Sequence, residues 1–164
     1  MTAQPTHFAV PLIGHDDLVG LWVCSRTKGA GWTPHRGKTI GLLTEKGLAA
    51  GVIYEDYSGS NVFMHVAAIP GRRWMTRRYL WMVFHYPFSQ LGCKRVTAGV
   101  PSPNQDSRRF VENLGFELEA TLKDAYPDGD LLVYSLRKEH PQVQRLLAYG
   151  EGRFNVKAEN PSSS

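Results

Sequence analysis

Apolar positions along this chain recur with two periods, and the changes of period divide it into elements. After a short extended segment at Phe8–Pro11, residues Leu18, Val19, Trp22 and Val23 fall at helical spacing within His15–Arg26. Asp16 and Asp17 stand in the first turn, where the helix dipole favours acidic side chains. Lys28–Gly37 is rich in Gly and Pro and reads as a loop, whose Trp32 and His35 either line a pocket or belong to an ordinary surface connection. The period then drops to two. Lys38–Thr44, Leu48–Tyr57 and Asn61–Ile69 read as three strands joined by the tight turns Glu45-Lys46-Gly47 and Ser58-Gly59-Ser60, which makes an antiparallel meander.

Beyond Pro70-Gly71 the helical period returns, with Leu80, Val83, Phe84, Phe88 and Leu91 marking a buried face and Gly92 the stop. Pro87 has no N–H for the carbonyl four residues back, so it is expected to kink this helix or split off its last turn. Lys94–Val100 is a further strand, so strand, helix and strand form a parallel crossover. A third helix follows, with Phe110, Val111 and Leu114 as its stripe. It starts either at a Ser102 cap, with Pro103 in the first position and Gln105 as capping-box partner, or at Asn104. Gly115 suits the left-handed residue that ends it, and Phe116 can pack back over the last turn. Strands at Phe116–Ala125 and Leu131–Arg137 flank a Pro127-Asp128-Gly129 turn, and His140–Ala148 reads as a last short helix. The termini, Met1–Thr6 and Asn160–Ser164, have the composition of disordered tails.

Composition narrows the class only a little. A length of 164 residues fits one mixed α+β domain, and an apolar content of 42% supplies its core. The net charge of +4 fits solubility as well as an acidic partner. Cys24 and Cys93 stand apart, with no C-x-x-C and no clustered histidines, so the expectation is no metal and two reduced thiols in a cytoplasmic protein. No stretch approaches the roughly 18 uninterrupted apolar residues of a membrane span, so no membrane partner is expected.

Asn104–Phe116 reads N-x-x-S-x-x-F-x-x-x-L-G-F. This resembles the helix signature of the GNAT superfamily of N-acetyltransferases, and the element order from Phe8 to Arg137 is similar to that superfamily's architecture. The N-x-x-S form resembles the branch that acetylates ribosomal proteins. Tyr86–Gly92 together with the L-G-F is similar to small phage and proteobacterial members. The resemblance implies a mostly antiparallel twisted sheet with one parallel crossover and helices on both faces. It also implies acetyl-CoA as cofactor and transfer to a primary amine on a protein N-terminus, a lysine or a small molecule.

The same resemblance assigns roles. Backbone amides near Val66, Ala67, Ala68 and Ile69, with Ala68 or Ile69 foremost, would hold the thioester carbonyl. The loop Gly71, Arg72, Arg73, Trp74, Met75, Thr76 and Arg77 would take the pyrophosphate at a helix N-terminus, with Thr76 as cap and Arg78 as a further charge partner. Family loops usually carry two or three glycines here, whereas this one keeps only Gly71. Asn104 would anchor the pantetheine arm or the serine, unless it serves only as the helix cap. Val111 stands where many members place a tyrosine acid, so Ser107 becomes the candidate for protonating the leaving thiolate. Glu55 and His65 are the candidate bases, unranked by sequence. Tyr54, Tyr57, Tyr126 and Asp130 are further pocket candidates. A homodimer through the C-terminal strands is common in the family.

Two other functions fit the residues. The pairs Arg72/Arg73, Arg77/Arg78 and Arg108/Arg109, with Trp74, could form a non-catalytic nucleic-acid patch. An acyltransferase acting on a nucleobase or tRNA amine would join both readings. Coenzyme A phosphates account for two of the pairs, which makes nucleic acid the less favoured partner.

Overall fold

The computed structural model describes residues 8–28 and 30–154; both expected disordered tails lie outside the described residues. Seven strands form one sheet: β1 Ala9–Leu12, β2 Gly37–Thr44, β3 Gly47–Glu55, β4 Asn61–Ala68, β5 Arg95–Pro101, β6 Glu117–Tyr126 and β7 Gly129–Arg137, in the order β1-β2-β3-β4-β5-β7-β6. Every neighbouring pair is antiparallel except β4 and β5. Helices α1 Asp16–Cys24, α2 Arg77–His85, α3 Gln105–Asn113 and α4 Pro141–Gly150 complete the architecture. The mixed α+β fold, the meander and the parallel crossover are those expected from the periodicity. No helix among the described residues is long and apolar enough to cross a membrane.

Strand alternation sends the two faces of the sheet to different partners. Ile53 and Ala67 pack with Val19 and Val23 of α1. Tyr54, Val62, Met64, Val96 and Tyr134 point the other way, into the larger core that contains Val83 and Phe84 of α2, Val111 of α3 and Val143 of α4. On α1 the buried stripe is narrower than the spacing suggested: Val19 and Val23 are buried, but Leu18 is exposed. Strand β6 is exposed along almost its whole length as the outer edge, and Glu117, Glu119, Lys123 and Asp124 guard it against further pairing.

Pro87 has the effect its chemistry requires. α2 opens at Tyr86–Gln90 into one wide turn, closed by Leu91 N–H donating to Tyr86 O at 2.9 Å. The missing Pro87 N–H frees the Val83 carbonyl, and the Tyr54 hydroxyl donates to that oxygen at 2.6 Å. A single tyrosine therefore satisfies the group that the proline orphans, and ties β3 to α2.

Trp81 and Met82 are buried outside the expected stripe because α4 covers the second side of α2. The contact is close enough to admit only glycine at its end: a Cβ on Gly150 would lie 2.0 Å from Trp81 Cδ1 and Nε1. The indole is held by His85 stacked at 4.4 Å and by Phe154 at 5.2 Å. Gly150→Ala is expected to cost about 1–3 kcal/mol in urea unfolding. An unchanged midpoint would show that α4 can slide away without loss.

The start of α3 settles on one of the two alternatives. Asn104 is the cap, its Oδ1 accepting from Ser107 N–H at 3.0 Å, and the helix does not begin at Ser102. Ser102 Oγ instead accepts from Asp130 N–H at 3.0 Å, a tertiary bond to the start of β7. The helix ends as expected. Gly115 has φ +96°, Phe116 N–H donates to Val111 O at 3.0 Å, and Phe116 is buried.

Candidate active site

The sheet opens in its middle. β4 and β5 pair only at Asn61↔Arg95, Val62↔Val96 and Phe63↔Thr97, and beyond these the strands splay into a V. Its apex is stitched on the α1 side: Thr97 Oγ1 donates to Asn61 Oδ1 at 2.6 Å, Arg95 Nη2 donates to Thr97 Oγ1 at 3.1 Å, and Arg95 Nη1 reaches Glu119 Oε1 at 2.8 Å. A cavity of about 460 Å³ fills the opening, within the range of small-molecule sites. Met64, His65, Val66, Ala67, Ala68 and Pro70 form one wall, and Ala98, Gly99, Val100 and Pro101 the other. Asn104, Ser107, Phe110 and Val111 close it from α3, while Arg26, Thr27 and Lys28 close it from the loop after α1. The cavity thus crosses the sheet from one face to the other.

Backbone donors face this opening. Ile69 N–H donates to Ala49 O at 2.8 Å, so one of the two amides singled out by sequence is committed to β3. Antiparallel ladders alternate, and with Ala68 paired opposite Ala50 the N–H groups of Ala68 and Val66 point to the other side, toward β5. Small side chains at Ala67, Ala68, Ala98 and Gly99 keep the approach to these amides open.

His65 and Glu55 come together as a pair. His65 lies opposite Ile53, so Glu55 is its diagonal neighbour on the same sheet face, and His65 Nε2 stands 2.7 Å from Glu55 Oε1. A carboxylate only accepts, so Nε2 carries the proton and Nδ1 is left as the acceptor nitrogen. Of the two, His65 lines the cavity and Glu55 does not. On the opposite wall Ser107 spends its N–H on the Asn104 side chain, and its hydroxyl has no hydrogen-bond partner among the described residues. Val111 also lines the cavity, buried, at the position the sequence reading marked as lacking an acid. Burial and the Glu55 charge push the Cys24 thiol up, and burial does the same to Cys93, so neither supplies a thiolate at neutral pH.

The loop between β4 and α2 runs on from the cavity rim at Pro70. Gly71 takes φ +76°, a conformation that favours glycine, and Arg72 N–H donates back to Ile69 O at 3.3 Å. Thr76 caps α2 by accepting from Tyr79 N–H at 3.2 Å, as expected, and the N–H groups of Arg77 and Arg78 have no protein acceptor among the described residues. Trp74 is turned inward, its ring 5.1 Å from Phe110 of α3 and 6.4 Å from Tyr79, so it fastens the loop to α3. Arg77 stacks over Tyr149 of α4 at 5.1 Å, and Arg73 and Met75 are exposed. Ile69 and Gly71 through Arg77 are thus outside the cavity wall, whereas Val66, Ala67, Ala68, Asn104, Ser107 and His65 form part of it.

The remaining sequence candidates are placed elsewhere. Tyr54 is wholly engaged with Val83, and the Tyr57 hydroxyl donates to Leu91 O at 2.8 Å. Asp130 accepts from Asp124 N–H at 3.0 Å and Lys123 Nζ at 3.1 Å, which is the chemistry of its turn. Trp32 lies over Gly20 and donates to Asp17 Oδ1 at 2.8 Å, away from the cavity. His35 is exposed and likewise outside the cavity wall. Arg26, Thr27 and Lys28 were missed as lining residues; Lys28 opens the Gly- and Pro-rich loop and was the available signal.

No protein-family model matches the sequence, and no curated protein matches it by sequence. Solved structures do match the fold. A ribosomal-protein-alanine N-acetyltransferase from Escherichia coli aligns with TM-score 0.61 at 17% identity, over 80% of this chain and 93% of that one. A spermidine/spermine N-acetyltransferase from Vibrio cholerae aligns with TM-score 0.60 at 12% identity, over 85% and 95%. A GNAT-family acetyltransferase from Bacillus anthracis gives 0.53 at 17%, over 62% of this chain and 67% of that one. The fold is that of the GNAT acetyltransferases.

Proposed function

We propose that the protein is an acetyl-CoA-dependent N-acetyltransferase that moves an acetyl group directly to a primary amine held in the same cavity. The observation that carries this reading is the V between β4 and β5: a cavity through the sheet with inward-facing backbone amides, an imidazole on one side and an unengaged hydroxyl on the other. Acetyl-CoA would supply the activated thioester. The small side chains of Ala67, Ala68, Ala98 and Gly99 suit a narrow acyl arm, and the free first-turn amides of α2 suit a phosphate. Arg72, Arg73 and Arg78 stand near those amides in sequence, so arginines compensate for the missing glycines.

Each remaining task falls to a residue of the chain. The N–H of Ala68 donates to the carbonyl oxygen as negative charge gathers there. His65 Nδ1 removes the proton of the acceptor ammonium, and Glu55 holds the imidazole in the tautomer that makes Nδ1 basic. After attack the acetylated nitrogen gives up its surplus proton through the Ser107 hydroxyl, which passes its own proton to the departing sulfur and is restored as O–H, and Asn104 fixes the turn that carries it. The protonated state of Cys24 and Cys93 agrees with transfer in a ternary complex, without an acyl-enzyme.

Calorimetric titration with acetyl-CoA, followed by thiol release with an amine present, tests the reading. Binding with amine-dependent thiol release is expected. Absence of binding at millimolar acetyl-CoA, with steeply salt-dependent binding to duplex DNA, would overturn it in favour of the nucleic-acid module. Ser107→Ala is expected to lower turnover by about 10-fold or more while acetyl-CoA affinity holds. An unchanged rate would remove Ser107 from the mechanism.

A further inference from the structure

The α1-side mouth of the cavity has an unusual charge balance. Among the described residues its lining contains the cations Arg26 and Lys28, the imidazole His65 and no carboxylate. One of the two cations is already matched, Lys28 Nζ lying 2.6 Å from Asp128 Oδ2, and the His65 imidazole is hydrogen-bonded to Glu55. The Lys28–Asp128 pair also ties the loop after α1 to the β6–β7 turn, one hundred residues away, so the mouth is bounded on both sides.

Arg26 is left over. Its guanidinium lies 4.4 Å above the Trp22 ring, and Nη1 donates to Ser25 Oγ at 3.2 Å, with no carboxylate partner among the described residues. Asp16, Asp17, Asp56 and Asp130 have other partners. Asp16 accepts from Thr39 and Lys38, Asp17 from Trp32, Asp56 faces Arg36, and Asp130 accepts from Lys123. Stacking on Trp22 fixes the plane of the guanidinium while its remaining N–H groups stay available, an arrangement suited to a planar or tetrahedral oxyanion. A second ammonium placed in this mouth would meet a cation and find no partner.

We infer that the acceptor is a small amine that also carries an oxyanion, a carboxylate or a phosphate, which Arg26 binds while the amine reaches His65. This rests on the acetyltransferase reading and narrows its acceptor. It separates the chain from polyamine acetylation, the activity in the name of one of its fold neighbours.

Matched ligands test it. The full chain is titrated calorimetrically with β-alanine against propylamine, with 2-aminoethyl phosphate against ethanolamine, and with spermidine, each with and without coenzyme A. At least one anionic member is expected to bind about tenfold or more tightly than its neutral match, and which of the two does so distinguishes carboxylate from phosphate. Arg26→Ala is expected to erase most of that preference, Arg26→Lys to keep part of it, and added salt to shrink it. Circular dichroism of each variant confirms that the fold is intact. Spermidine or a neutral amine binding as tightly as the anionic members, or none of the five binding at millimolar concentration, would overturn the proposal. Acetyl-CoA titrated on the same preparation reports separately on the acetyltransferase reading, since charge preference is read from binding alone.

Discussion

His65→Ala is expected to lower kcat for acetyl transfer by about 10²–10⁴-fold at neutral pH, with a far smaller change in KM for acetyl-CoA. The size follows from the state of the acceptor. An alkyl amine with a pKa of about 10.4, or an α-amine near 8, is mostly or partly protonated at pH 7, and only the free base attacks. In the proposed mechanism His65 Nδ1 takes that proton, since Nε2 is hydrogen-bonded to Glu55 Oε1 at 2.7 Å. The pH dependence separates this role from a structural one. Raising the pH deprotonates the amine in solution, so the deficit of His65→Ala is expected to shrink as the pH approaches the acceptor's own pKa. Glu55→Gln keeps an oxygen for Nε2–H and loses the charge, and is expected to give a smaller deficit with the same pH trend. A His65→Ala enzyme with unchanged kcat, or with a deficit that does not vary with pH, would place the base elsewhere.

How much of this was legible before the fold depended on whether a feature is local. The α3 signature was, because stripe, stop and back-packing aromatic all lie within Asn104–Phe116, and the helix ends where Gly115 says it must. The meander and crossover followed from turn residues and a change of period. The Ser102 start failed for a non-local reason: its hydroxyl is taken by Asp130, 28 residues on. Trp81 and Met82 were hidden for the same reason, since only the docking of α4 gives α2 a second buried side.

The site shows the same division. Ser107, Asn104, Ala67 and Ala68 could be named from resemblance and side-chain size, and the structure gathers them around one cavity. Glu55 and His65 could be listed but not ranked, because ranking them needs the register that makes them diagonal neighbours across β3 and β4. Arg26 gave no signal at all. Its place at the mouth depends on how α1 crosses the sheet and on the Lys28–Asp128 tie. The Gly71–Arg77 loop was read as a phosphate cradle with Thr76 as its cap; the cap is there, but Trp74 anchors the loop to α3 and Arg77 stacks on Tyr149.

Stability is expected to collapse on the alkaline side, and the cause is the two tyrosines that join the sheet to α2. Tyr54 and Tyr79 are both buried, each donating its hydroxyl proton to a backbone carbonyl, Val83 O at 2.6 Å and Ile40 O at 2.9 Å. Burial pushes both phenols up, strongly for Tyr54, where Tyr79 and Tyr86 add to the effect. In the unfolded chain they titrate near 10. Below that pH both states hold the protons and stability is unaffected. Above it the unfolded state releases protons that the folded state retains, so stability falls as the pH rises toward the folded pKa values. With two protons retained, the slope is about 2.7 kcal/mol per pH unit above pH 10, against a total stability of roughly 5–15 kcal/mol. Urea unfolding at stepped pH values from 8 upward measures it. Tyr54→Phe is expected to act in two opposite ways. At pH 8 it leaves Val83 O without a donor, since Pro87 has no N–H to replace the hydroxyl, and costs about 1–3 kcal/mol. Above pH 10 it removes one of the retained protons and flattens the slope by about 1.4 kcal/mol per pH unit. Stability that held flat through pH 11 would show that the phenols ionise in place, and that the hydroxyl-to-carbonyl bonds joining β2 and β3 to α2 are dispensable.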